Sequence, residues 1–218
     1  GIETYLANPS AHDAPSAQAL FYAFHLFGHW RETSAYRPLA RLLRLPEDDL
    51  EVILGEAVTE TAHRVMAAVF DGDPEPLFDI ILDPAAGQFA RSSMCDTLAM
   101  LLMRGRLERQ QVEPFLREAF IRIEPKSEGF VWCGWMQAIA RSGFAELTPL
   151  VEQAYAAGWI NPDYMSFADY RDELAKALEG PGTPPWHDDK YFAEFGNVLA
   201  EMEHWHTHET ALGSLKSD

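Results

Sequence analysis

Apolar residues recur at helical spacing along most of the chain, and two residue types punctuate them. Ala62, Val65 and Val69 form one stripe, Leu98, Leu101 and Leu102 a second, and Val131, Trp135 and Ile139 a third. Intervals of three and four residues place such positions on one helical face. Each stripe runs toward a glycine, Gly72, Gly105 or Gly143, and Gly28 stands in the matching place of an earlier segment. A glycine past the last periodic residue suits the left-handed turn that closes a helix. After each glycine comes a proline with a large apolar neighbour: Pro38-Leu39, Pro76-Leu77, Pro114-Phe115 and Pro149-Leu150. Proline is tolerated in a first helical turn, where the N–H it lacks has no intrahelical acceptor. The pattern predicts a helix, a glycine turn, and a second helix beginning near its proline.

The prolines lie 38, 38 and 35 residues apart, a period near that of HEAT and armadillo units; the Trp/Gly/Tyr signature of tetratricopeptides is not found. A two-helix unit cannot cover its own apolar face, whereas stacked neighbours can. The expected fold is therefore all-α, an α-α superhelix (a HEAT/armadillo-like solenoid) of about four two-helix repeats plus a C-terminal helix. Acids in its first turn mark 45–54 as a short linking helix. Ser166 is a suitable N-cap for a helix over 166–178, with Phe167, Tyr170, Leu174 and Leu178 on one stripe. Two glycines and three prolines in 179–186 then break the pattern. Beyond them Phe192, Phe195, Leu199 and Met202 recur at helical intervals, which predicts a final helix over 188–206. The organisation expected is a repeat domain over 1–179, a Pro/Gly linker over 180–189, and a C-terminal helix and tail over 190–218.

Cys95 and Cys133 are too few for a disulfide framework or a zinc cluster. Each stands ten residues before its unit's glycine, where the other units carry Gln18 and Ala62. A small side chain at a repeated register points to close helix packing rather than to a reactive thiol.

The stretch "LGEAVTETAHRVMAAVFDGDPEPLFDIILDP" (54–84), with "RLERQQVEPFLREAF" and "AAGWINPDY" further on, resembles an uncharacterised bacterial family of HEAT-like helical proteins, domain of unknown function 1186. The resemblance covers roughly 15–180, and the "DGD" turn (71–73) is its most specific part. It implies an all-helical repeat fold and no particular activity. Relatives of this kind often carry a SecA-type Cys/His metal module after the repeats; this chain lacks its cysteines, so no zinc-module function carries over.

Charge acts chiefly by exclusion. With 34 acids against 17 lysines and arginines the formal net charge is −17. Such a chain repels a phosphate backbone, and no stretch concentrates basic residues into a nucleic-acid groove. Anionic membrane surfaces are disfavoured for the same reason. The uncharged run "GFVWCGWMQAIA" (129–140) is shorter than the roughly 20 residues a membrane span needs. Without a secretory or transit pattern at residue 1, the expected location is the cytoplasm.

Candidate chemistry is sparse. His204, His206 and His208 alternate near the end of the chain, and in a helix His204 and His208 stack with Glu201 one turn earlier. That spacing can serve a transition metal when other helices add ligands; the plain alternative is a helix C-terminus whose histidines face the dipole. His25 and His29 form another i, i+4 pair, interrupted by Gly28. "DGDPE" (71–75) and "WHDD" (186–189) gather carboxylates, but the first lacks the remaining positions of a calcium loop and no nucleophile accompanies the second. No phosphate loop, dinucleotide fingerprint or Gly-x-Ser-x-Gly occurs. Trp132, Trp135 and Met136 form the densest aromatic patch, on two adjoining faces of one helix. One face must be core, and the other is a candidate partner surface. The resulting expectation is a non-catalytic scaffold that binds a protein or peptide on a concave face. No catalytic residue and no cofactor are expected, except a transition metal at the C-terminal histidines, which is the alternative reading. A homodimer paired through the final helix is a third.

Overall fold

A computed structural model of the chain describes residues 14–179, 189–201 and 203. It is all-α, and no strand occurs among the described residues. In chain order the α-helices are α1 (Ala14–Trp30), α2 (Tyr36–Leu43), α3 (Glu47–Ile53), α4 (Ala57–Glu60), α5 (Ala62–Val69), α6 (Glu75–Leu82), α7 (Gln88–Met103), α8 (Arg109–Arg122), α9 (Phe130–Arg141), α10 (Thr148–Ala156) and α11 (Phe167–Leu178). The first helices of successive pairs pack on one another: α1 on α5, α5 on α7, α7 on α9, and α9 on α11. Among the second helices α2 packs on α6 and α6 on α8.

Most of the punctuation expected from the sequence falls where it was read. Gly72 (φ 104°), Gly105 (φ 63°) and Gly143 (φ 67°) take left-handed backbone between paired helices, a conformation that costs a glycine little. Pro76 and Pro149 lie in first turns, and Ser166 caps α11 through a reciprocal box with Asp169.

Three expectations need correction. Gly28 does not close the first helix, because α1 runs on to Trp30 and Arg31 takes the left-handed turn at φ 52°. Gly28 is small for another reason: a Cβ there would lie 3.1 Å from both Phe195 and Val65. Pro114 does not open its helix either. A capping box between Glu108 and Gln111 starts α8 at Arg109, so Pro114 sits inside it and removes one backbone hydrogen bond. Finally, residues 188–206 do not form one helix. Lys190–Phe192 is a 3-10 turn, 194–197 has no regular structure, and helix resumes only at 198. Gly196-Asn197 interrupts the apolar spacing, and the Asn197 side chain accepts the Leu199 N–H at 2.9 Å, restarting the helix.

Among the described residues α7 and α9 share the most extensive helix–helix contact, and α9 also carries the largest buried side chains. Trp132, Trp135 and Met136 are fully buried. Trp132 packs on Trp159 with centroids 4.5 Å apart, and the Trp135 indole N–H donates to the Leu116 carbonyl at 2.8 Å. Backbones approach so closely that a Cβ on Gly134 would sit 2.7 Å from Ser92 Cα and 2.9 Å from Ser92 O. Cys95 and Cys133 are buried as free thiols, with burial raising both above the ordinary range. Ala62 is buried at their register but Gln18 is exposed.

Arginines staple one pair to the next. Arg37 spans the "DGD" turn, reaching Asp71 at 3.1 Å and Asp73 at 2.7 Å. Asp73 also accepts the Glu75 N–H, a bond that with Arg37 holds its carboxyl below the usual range. Arg44 binds Asp83 through two nitrogens, and Arg109 reaches the carbonyls of Ser142 and Gly143.

Candidate functional site

Residues 189–201 lie as a strap across the layer of first helices, and side chains of that layer hold the strap by its main chain. The Tyr191 carbonyl accepts His63 Nε2–H at 2.6 Å, and the Phe192 carbonyl accepts Arg104 at 2.8 Å. Arg64 donates to the carbonyls of Ala193 at 2.8 Å and Glu194 at 3.1 Å, and His29 bonds the Gly196 carbonyl at 3.0 Å. The donors come from α1 (His29), α5 (His63 and Arg64) and the end of α7 (Arg104). Five carbonyls of a short segment, a 3-10 turn followed by irregular chain, are therefore held by side chains of the helix layer, as a groove holds the main chain of a bound peptide.

Two aromatic side chains anchor the strap. Phe195 is buried beside His25, beneath the Arg64 guanidinium, in space that exists because residue 28 is glycine. Phe192 is buried against His63, with Arg141 over its ring at 5.0 Å. Between these anchors Glu194 turns toward Arg31 (2.5 Å) and Arg104 (3.4 Å). The hydrogen bond from Arg31 holds the Glu194 carboxyl below its ordinary range, helped by the charges of Arg104 and Arg106.

A polar network lies under the strap's start. Arg141 bonds Asp96 at 2.6 Å and approaches Glu173 at 3.4 Å, and the Tyr191 hydroxyl donates to Asp96 at 2.9 Å. Burial raises the Tyr191 hydroxyl and the Glu173 carboxyl above their usual ranges. His63 stacks on Tyr191 at 4.1 Å, and burial lowers its pKa to about 4. The ring is therefore neutral near pH 7, with Nδ1 buried and unpartnered. A cleft of about 380 Å³ opens beside the network, bounded by Thr59, Glu60, Ser92, Gln137 and Tyr164. A second cleft, of about 270 Å³, lies around Glu194 and Phe195.

The aromatic patch chosen from the sequence lies apart from these contacts. Trp132, Trp135 and Met136 are sealed inside the core because Trp159 and Phe120 cover the face left open in the sequence reading. They present no surface to a partner. Of the residues considered for metal, Glu201 is gripped by Arg64 at 2.7 and 3.1 Å; His204, His206 and His208 lie outside the described residues. His25 is buried between the Phe21 carbonyl and the Thr61 hydroxyl, and His29 faces the strap, so the pair shares no ligand position. Among the described residues no group of three His, Cys, Asp or Glu side chains is placed to hold a metal. No described helix is long and apolar enough to cross a membrane.

The residues that build the groove, His29, His63, Arg64 and Arg104, form no cluster in the sequence. Their signal was indirect: a small residue at 28 and two phenylalanines three apart at 192 and 195.

Helix pairs packed in chain order, with a peptide-like strap across one layer, define the class of molecule. The chain belongs to the family described as Protein of unknown function (DUF1186), whose model matches residues 12–209. It is 25% identical over 152 residues to an uncharacterized protein of Chlamydia trachomatis serovar D, covering 70% of this chain and 60% of that one. It is equally similar to an uncharacterized protein of Chlamydia muridarum, of which 61% is covered. The chain thus spans about three fifths of the length of the curated relatives it matches. No solved structure matches it significantly.

Proposed function

We propose that the chain is a non-catalytic helical-repeat scaffold, HEAT-like in its stacking, which binds an extended segment of a protein partner in the bacterial cytoplasm. The observation that supports this reading most is the main-chain capture of the strap: five carbonyls between Tyr191 and Gly196 accept from His63, Arg104, Arg64 and His29. Contacts to carbonyls secure a backbone whatever its sequence, and pockets for alternate side chains add selectivity. The strap occupies the groove in cis at the high effective concentration that a tether provides, so a partner would bind by displacing it.

Weakening the occupant tests this directly. The double variant Phe192→Ala with Phe195→Ala should bind a labelled peptide of residues 189–201 saturably and one to one, followed by fluorescence anisotropy. Adding Arg64→Ala should abolish that binding. A double variant that keeps its helical circular dichroism and its melt, yet takes up no peptide, would refute the reading.

A further inference from the structure

The cleft around Glu194 is lined by four arginines, Arg31, Arg64, Arg104 and Arg106, together with Thr33 and the apolar side chains of Ala67, Ala68, Met100, Leu101 and Phe195. In a chain with twice as many acids as bases, this concentration of positive charge calls for an explanation. Two carboxylates answer it among the described residues. Glu201 takes Arg64, and Glu194 takes Arg31 and Arg104. Arg106 makes no ion pair within 4 Å among the described residues; the Ala67 and Phe70 carbonyls hold it at 2.6 and 2.8 Å. The Arg104 Nε is buried without a partner. Like charges held this close repel one another unless an anion sits among them.

The anion now present belongs to the strap, and its setting is specific. Phe192 and Phe195 fill separate aromatic pockets on either side, so the carboxylate is delivered at a fixed place between two anchors. Arginine forks bind carboxylates in defined directions. We propose that this end of the groove is a specificity site for an acidic residue carried between two aromatic residues, at the spacing of Phe192, Glu194 and Phe195, on an extended segment of a partner protein. The strap is the chain's own copy of that signal. The inference rests on the peptide-binding reading above and deepens it by naming the chemistry of the partner.

Three arms distinguish failure of the inference from failure of the underlying reading. The Phe192→Ala/Phe195→Ala protein is titrated with the 189–201 peptide and with the same peptide carrying Glu194→Gln. The native peptide should bind about threefold more tightly at low salt, and the advantage should shrink in about 0.5 M sodium chloride. Placing Arg31→Gln in the protein, a residue that meets the strap through the Glu194 carboxylate rather than through a carbonyl, should remove most of the discrimination while leaving the glutamine peptide bound. Equal affinities for the two peptides would overturn the acidic specificity and leave the groove standing; no binding of either would overturn the groove itself. Because the double variant can lose its fold, the intact protein serves as a second assay: excess native peptide should speed amide hydrogen exchange across 191–195, and the glutamine peptide should do so far less. Acceleration that grows with protein concentration alone, together with a dimer in solution, would assign the occupant to a second copy and overturn the partner proposal.

Discussion

The α7–α9 seam and the strap seam are held by opposite means. At the first, Gly134 meets Ser92 at backbone distance, and the same helix buries Trp132 and Trp135 against Phe120 of α8. At the second, most of the bonds are polar: arginines and histidines on carbonyls, a carboxylate between guanidiniums, and two phenylalanines as apolar anchors. A close-packed apolar seam loses its contacts outright when opened. A seam of carbonyl and charge contacts exchanges them for water at modest net cost. The first is suited to stay closed, the second to trade one occupant for another.

The contrast can be broken most severely at the helix seam. Trp135→Ala should cost about 4 kcal/mol, since it empties a fully buried site, and the loss should appear as a lower urea midpoint. Gly134→Ala should cost about 2 kcal/mol even after the helix propensity that alanine gains, because Ser92 backbone stands in its way. Cys133→Leu, at a less constrained position on the same helix, should destabilise by roughly 1–3 kcal/mol in the same measurement.

Strap variants should behave differently. Phe195→Ala should lower the global midpoint by less than Trp135→Ala does, while limited proteolysis between 189 and 201 becomes markedly faster. Acid should act mainly on the strap seam. His63 titrates near 6.5 when unfolded and near 4 when folded, so the unfolded chain binds the extra proton first. The stability it contributes is complete above about pH 6.5 and is lost as pH falls toward 4. His63→Phe should flatten that part of the stability profile, read from thermal melts between pH 7 and 4.

How far the sequence could be read follows the same division. Gly72, Gly105 and Gly143, with Pro76 and Pro149, mark turns because local backbone chemistry alone decides those positions. Gly28 resembles them in sequence, yet what fixes it is Phe195, distant along the chain. Pro114 misleads because the stronger start signal, the Glu108–Gln111 box, lies upstream. The spacing puts Trp132 and Trp135 on adjoining faces of one helix, but periodicity says nothing of how much covers a face: the two rings touch each other, and Phe120 and Trp159 lie over them. The strap was least legible. Phe192, Phe195 and Leu199 keep helical spacing, although Phe192 ends a 3-10 turn, Phe195 lies in irregular chain and Leu199 is exposed. Its partners, His63, Arg64 and Arg104, hold main-chain atoms, which carry no sequence signal.

Amide hydrogen exchange resolved by mass spectrometry, on the intact protein near pH 7, compares the two seams in one experiment. The account predicts that the amides of Tyr191, Phe192 and Ala193 exchange through a local opening, orders of magnitude faster than those in the middle of α7 and α9. Exchange of the strap as slow as that of α7 and α9, in a single cooperative unit with them, would contradict it.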